Sequence, residues 1–539
     1  MQRTPAVMVL PVLLAFGVSC VTLDARPSEE FPGAGRTWRY FRSPNFEMYS
    51  STDRSASRDA LERLELLRAV VLEKLHFKAR KPRPVTVYYF NSGREFRRYL
   101  PEKYQGNDSY VGFCNEGYDR TVITMMQAGD DDEAREIVYH EYIHYVVQIA
   151  ELEPPPWFDE GLAELYSTMK DTPLGIEIGR PSRGRMEELR HASLLPLDVL
   201  FGATRNSELF TRDDHTGVFY AESWAVLHFC QCGVKRIPPE QLERFYRTAA
   251  DRNIQAHPEV LRAACRDLFG CDYAELLKRI QAHLLSGSYR WSLSSRPRIA
   301  DSRTYTERAA SGEEMVERLA ELDFRVNRSP RGRLGLLQAL DRAPASARPH
   351  EALGNDAVVD GDTRLARDEW EKAVALGTDN PAVYQQLGRI EGSRWFDEFD
   401  FHFRLPDEKA EYLRGLLRRS IEWAPDQSEA FETLAWVEGT ARVINADNVE
   451  RVTAHLATLN HQPRTLLALA MVAVHQGSPD RARSLLAQIR RSDPDRFVKS
   501  AADVIEGELD GRRAPRMRLS EEPAGPLQID PLPLPDPGH

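Results

Sequence analysis

His140-Glu141-Tyr142-Ile143-His144 sets two imidazoles four residues apart with a carboxylate between them. An α-helix turns about 100° per residue, so His140 and His144 would stand one above the other on one face. Two imidazoles stacked that way can share one tetrahedral Zn²⁺. Glu141 lies beside that face, placed to take a proton from a water at the metal without ligating the metal itself. Ile137, Val138, Ile143, Val146 and Val147 are apolar, and no other charge interrupts the motif. Asp130, Asp131, Asp132 and Glu133 suit a first helical turn, where the helix dipole favours anions.

A catalytic zinc needs three protein ligands and one open position. Glu160 follows His144 by sixteen residues. That interval lets one helix end, turn at Pro154-Pro155-Pro156 and start a second, antiparallel helix. Glu160 and Glu164 then share a face at i, i+4. Glu160 is the expected third ligand, and Glu164 the acceptor for the outer ring N–H of a ligating histidine. An exposed acidic helix face is the plain alternative for such a pair, but Trp157, Phe158 and Leu162 argue for a packed helix.

Several elements must position this group. Pro84 to Phe90 (P-V-T-V-Y-Y-F) is β-branched and aromatic and reads as a buried strand. Tyr110 to Cys114 and Arg120 to Met126 flank Asn115-Glu116-Gly117 and predict a hairpin. Beyond about residue 165 the periodicity is helical, as in Leu242 to Tyr246, Leu261 to Ala264 and Tyr273 to Leu277, which predicts a helical subdomain closing the other side of a cleft. Arg180 to Arg190, basic and punctuated by Gly and Pro, reads as a surface loop.

With these residues in place the chain resembles the gluzincin clan of metallopeptidases, in which HExxH is followed by a glutamate ligand. Thermolysin-like enzymes and zinc aminopeptidases belong to that clan. The likeness is nearest to a bacterial peptidase-like family that reads P-W-F-x-E-G-x-A-E after its HExxH, matched here by Pro156 to Glu164. The resemblance covers roughly residues 36–290. It implies an α+β zincin-like peptidase domain, a sheet followed by active-site helices and a helical subdomain. It also implies His140, His144 and Glu160 as ligands of one Zn²⁺, Glu141 as the base and Glu164 behind the ligands. One strand of the predicted hairpin would form the cleft's rim and pair with an extended substrate. A tyrosine donating to the oxyanion is implied as well, and Tyr220 is its match, although the Lys-Gly that follows it in the aminopeptidases is missing. Packing of Tyr220 with Trp224 and Leu227 as a helical stripe is the alternative, and His215 is a second choice for the same task.

Residues 291–311, rich in Ser and Arg, read as a linker. A repeat then organises residues 312–510: Leu353-Gly354 recurs as Leu387-Gly388 at a spacing of 34, the tetratricopeptide period. Leu434-Ala435 and Leu469-Ala470 take the same slot, Pro344, Pro425 and Pro494 keep phase, and Ala366, Trp370 and Ala373 fit a second helix. The spacing of 47 from Leu387 to Leu434 implies an insertion, the aromatic stretch around Trp395, Phe396, Phe399, Phe401 and Phe403. About four degenerate repeats of an all-α solenoid are expected, offering a groove to a protein partner and no chemistry of their own. Residues 511–539 read as a Pro-rich tail.

The 539 residues, 42% of them hydrophobic, are enough for two or three cored domains. A net charge of −11 without a basic cluster argues against nucleic acid. Arg3 and the apolar run Ala6 to Val18 predict a signal peptide over residues 1–19, too short to span a bilayer. Gly17-Val18-Ser19-Cys20 resembles a bacterial lipoprotein cleavage site, with Gly17 where that pattern prefers Leu. Cys20 would carry the lipid, and the membrane would be met only through that anchor. The chain is therefore expected outside the cytoplasm, in the periplasm or cell envelope. There Cys230, Cys232, Cys265 and Cys271 could form one or two disulfides, with Cys114 left over. The expected function is hydrolysis of a peptide or protein substrate by a zinc peptidase. The rival is an envelope tetratricopeptide scaffold whose peptidase domain has lost its chemistry, and a zinc hydrolase of non-peptide amides is a narrower variant.

Overall fold

The computed structural model describes residues 31–512, apart from residue 32 and segments 76–83, 107–109, 128–131, 151–153, 205–206, 208–212, 251–256, 288, 397–398, 458–461 and 492–494. The signal segment with Cys20, the Pro-rich tail and Pro494 lie outside the described residues.

A six-stranded mixed sheet comes first. Its strands are β1 (Trp38–Arg42), β2 (Phe46–Ser50), β3 (Val85–Phe90), β4 (Gly112–Glu116), β5 (Thr121–Met126) and β9 (Thr306–Ala310), in the order β4-β5-β3-β2-β1-β9. The β-branched and aromatic β3 sits centrally, parallel to both β2 and β5. Parallel neighbours require a crossover, and helix α1 (Arg54–Lys74) supplies the one between β2 and β3, started by Asp53, whose side chain accepts from the Ala56 N–H. The predicted hairpin is β4-β5, antiparallel, and β4 is the sheet's edge.

Period-two alternation divides β3 between two cores. Val85 and Val87 pack on the face covered by α1 and by helix α2 (Asp132–Ile149). Tyr88 and Phe90 pack on the other face, against Met315, Leu319, Leu322 and Leu336. Those four belong to helices α9 (Gly312–Asn327) and α10 (Pro330–Arg342), the first hairpin of the C-terminal helices.

Helix α2 is followed by the antiparallel α3 (Pro156–Ser167). A three-stranded sheet of β6 (Lys170–Thr172), β7 (Gly175–Ile178) and β8 (Ser292–Ser294) comes next. Helices α4 (Arg183–His191), α5 (Asp213–Cys232), α6 (Pro239–Ala249), α7 (Pro258–Phe269) and α8 (Tyr273–Leu285) form the expected helical subdomain.

Two expectations need correction here. Residues 291–311 are no free linker, because β8 joins the small sheet and β9 pairs along the whole of β1. Cys114, Cys230, Cys232, Cys265 and Cys271 are free thiols; Cys230 and Cys232, two apart on α5, point to different sides of their helix.

The remaining helices are α11 (Arg348–Val359), α12 (Thr363–Ala375), α13 (Pro381–Phe396), α14 (Asp407–Trp423), α15 (Ser428–Thr440), α16 (Ala446–Leu456), α17 (Pro463–His475), α18 (Pro479–Arg491) and α19 (Arg496–Leu509). Most pack on the next helix, and α17 packs on α15 rather than on α16, extending an all-α array of helical hairpins. The described residues therefore hold five hairpins and a final helix where about four repeats were expected. Leu353, Leu387, Leu434 and Leu469 all fall on first helices of hairpins. At Gly354 the Trp370 indole lies where a Cβ would stand, 2.4 Å away, so only glycine admits this crossing. Phe399 and Phe401 of the insertion are buried in the array's second core.

Polar groups tie the array to the sheet. Glu47 on β2 receives Arg120 at 2.8 Å and also pairs with Arg348 of α11. Burial alone would raise the Glu47 carboxyl, but these two guanidinium groups and the Thr86 hydroxyl hold it at about 2. No described helix is long and apolar enough to cross a membrane.

Candidate metal centre

The four-residue spacing does on α2 what helix geometry requires: the Nε2 atoms of His140 and His144 lie 3.1 Å apart. Helix α3 brings the third donor. All twelve of its residues are buried, between α2 and α5. The close approach to α5 depends on Gly161, where a Cβ would stand 2.5 Å from the Ser223 carbonyl oxygen. Glu160 Oε2 lies 3.3 Å from His140 Nε2 and 3.4 Å from His144 Nε2.

These three separations are close to the edges of a tetrahedron whose centre-to-ligand bonds are about 2.0–2.1 Å, edges of roughly 3.3–3.4 Å. One donor atom from each residue lies within 4.8 Å of the others, the one such group among the described residues. Glu160 Oε2 is buried and makes no hydrogen bond of normal geometry. A buried carboxylate oxygen left so is costly unless a cation completes it. The donor set fits zinc in number, type and spacing.

The outer ring nitrogens are engaged from behind. His140 Nδ1 lies 3.1 Å from Glu164 Oε1. His144 Nδ1 lies 3.0 Å from Asp159 Oδ1. The sequence reading missed Asp159, which occupies the first turn of α3 and is buried there; its place next to Glu160 was the only signal. Burial resists charge on His140, but Glu164 and Glu160 raise it to about 9, and Asp159 and Glu160 likewise raise His144. The imidazoles in turn hold Glu160 well below the usual carboxylate range, against the effect of its burial.

Glu141, beside the donors, is raised above its ordinary value by burial, which outweighs the nearby imidazoles. A carboxylate displaced in that direction is a stronger base. Tyr220 lies mid-way along α5 rather than at a helix start, with its ring 5.9 Å from the His140 ring. Burial, followed by Glu160 and Glu141, raises its phenol strongly, so it stays a donor. It is also part of the apolar core, so packing and proximity coincide. His215 lies on α5, with its side chain outside the described residues.

Arg180 to Arg190 departs from the expected solvated loop. Residues 183–191 form α4, and Arg185 points inward, donating to Glu164 Oε1 at 2.8 Å. Its guanidinium also lies 5.3 Å over the Tyr220 ring. Arg185 thus orders both the carboxylate behind His140 and the candidate oxyanion donor.

A scan against family models matches none, and a search of curated proteins finds no match. Among solved structures the chain is similar to YrrB, described as a TPR protein with an unusual peptide-binding site. The identity is 18%, the TM-score 0.29, and the match covers 34% of this chain and 89% of that one. It is also similar to a thermophilic TPR protein in Thermus thermophilus, at 16% identity and a TM-score of 0.22, covering 36% of this chain and 98% of that one.

Proposed function

We propose that this chain is a zinc-dependent peptidase of the gluzincin type, exported to the cell envelope and lipid-anchored through Cys20. The observation that carries the reading is the convergence of His140, His144 and Glu160, with a buried, unsatisfied carboxylate oxygen among them. Those three residues would hold the ion. Zn²⁺ in such a site supplies a Lewis acid and makes water a nucleophile at neutral pH.

The chain's own residues do the rest. Glu141 takes the proton from the attacking water and returns it to the leaving amine. Tyr220 donates to the oxygen that gains charge. Glu164 and Asp159 fix the two ligand rings, and Arg185 fixes Glu164. The edge strand β4 has a neighbouring strand on one side only within its sheet and packs beside α2. An extended peptide added there would lie in register along the helix that carries the donors. The hairpin array offers a second surface, for a protein partner.

The test is cleavage of a peptide library by the purified protein, with and without chelator, set beside Glu141→Gln. The parent should cleave, chelator should stop it, and zinc should restore it. Glu141→Gln should keep the metal and lose at least about 10²-fold in rate. Cleavage by Glu141→Gln at the parent rate would overturn the mechanism. A stable parent with neither zinc nor cleavage would favour the scaffold reading instead.

A further inference from the structure

The small sheet carries a surface that the peptidase reading does not use. Glu177 on β7 stands opposite Lys170 on β6 and Leu293 on β8, so all three side chains share one face. Trp291, two residues before Leu293, points the same way. Leu293 is 53% exposed and Trp291 41%. Leu174, in the β6-β7 turn at the end of this face, is 81% exposed. The Cys232 thiol donates to the Ile178 carbonyl at 3.7 Å, which brings the loop after α5 beside β7. That loop presents Val234 at 92% exposure, followed by Lys235 and Arg236.

The charges around these apolar residues are one-sided. The acids of the two strands are paired: Glu177 with Arg180 at 2.5 Å, and Asp171 with Arg296 at 3.2 Å, a guanidinium it shares with Glu62. The Arg180 guanidinium also stacks 4.3 Å over the Trp291 ring. Lys235, Arg236 and Arg290 form no ion pair with any described residue, which leaves the rim cationic. Separate aliphatic side chains at turn tips, an indole and unneutralised cations make up the composition of a bilayer-interface anchor. A folded partner would instead call for a packed groove.

The chain outside the described residues points to the same occupant. Cys20, the residue expected to carry lipid, lies eleven residues before the buried Phe31. That tether reaches at most about 40 Å, so a lipid-anchored chain works next to a membrane. We infer that the Leu174, Trp291 and Leu293 face, with the neighbouring loop of Val234, Lys235 and Arg236 and with Arg290, is a docking site for an anionic phospholipid surface. The inference rests on the proposed envelope location but on no part of the catalytic reading.

The experiment uses the chain from Val21 to His539, which carries every described residue and no lipid. Its co-sedimentation is measured with vesicles of phosphatidylcholine alone and of phosphatidylcholine with phosphatidylglycerol. Binding should be confined to the anionic vesicles and weaken with salt. Leu174→Asp with Leu293→Asp, and separately Lys235→Glu with Arg236→Glu, should each lower partitioning at least about tenfold with unchanged melting temperature. These sites are exposed, so the fold should tolerate them. Absence of parent binding, or parent-like binding by both variants, would overturn the inference. So would a change in self-association in place of vesicle binding, since the face would then meet a second copy of the chain. Vesicle binding is read without catalysis, so an inactive or zinc-free protein leaves this test intact.

Discussion

Asp119 is where the hairpin array grips the sheet, and replacing it by alanine should show that the two are one body. Asp119 lies in the β4-β5 turn and receives Arg325 of α9 through two hydrogen bonds, at 2.7 and 2.9 Å. The two side chains are 0% and 2% exposed. The backbone around them is held too: the Tyr118 N–H donates to Asn355 Oδ1 at 2.7 Å, and Asn380 Nδ2 donates to the Asp119 carbonyl at 3.1 Å. Breaking a buried ion pair from one side costs about 3–5 kcal/mol, because the remaining charge stays buried. Glu321 still meets Arg325 at 2.8 Å in the variant, which puts the expected loss near the lower limit, about 3 kcal/mol. Urea unfolding followed by circular dichroism and by tryptophan fluorescence measures it, with Asp119→Asn as the control that keeps shape and loses charge. Both probes should shift together to lower denaturant. A loss below about 1 kcal/mol, or two transitions of which only one moves, would refute the idea that array and sheet unfold as a unit.

Glu222 on α5 is raised to about 7 by burial, despite the Leu195 N–H donated to it at 2.6 Å. The folded state therefore holds a proton that the unfolded chain releases, and stability should fall as pH rises from 4.5 to about 7. Glu222→Gln should flatten that slope and gain up to about 3 kcal/mol above it, read as melting temperature against pH. Gly161→Ala should force α3 and α5 apart, costing about 1–3 kcal/mol in denaturant unfolding and weakening zinc binding in titration, since Glu160 is its neighbour. Asp159→Asn should lower zinc affinity about 10–100-fold in competition with a chelating dye. An unchanged affinity would remove Asp159 from the site.

The cluster of His140, His144 and Glu160 was legible because short-range helix geometry fixes it. Four residues separate His140 from His144, and four separate Glu160 from Glu164, so pattern alone puts each pair on one face. Meeting of the two pairs needed only a turn, and the three prolines at 154–156 announce one. Asp159 and Arg185 were harder. Each acts through tertiary packing, and Arg185 sits on a helix with no fully buried residue, whose only apolar side chains, Met186 and Leu189, are partly buried against the core. Strand β9 reads T-E-R-A-A and is largely exposed, an edge without alternation, whose only cause is pairing with β1 far back in the chain. The hairpin α9-α10 looked like a further repeat of a separate solenoid. It is also the layer that buries Tyr88 and Phe90, a role that periodicity does not reveal.

The most direct test of the central claim is the metal content of the purified chain after dialysis against trace zinc. The account predicts about one zinc ion per parent chain, nearly none in His140→Ala with His144→Ala, and parent-like content in Glu141→Gln. A folded parent that stays zinc-free, or a double histidine variant that binds as much as the parent, would contradict it.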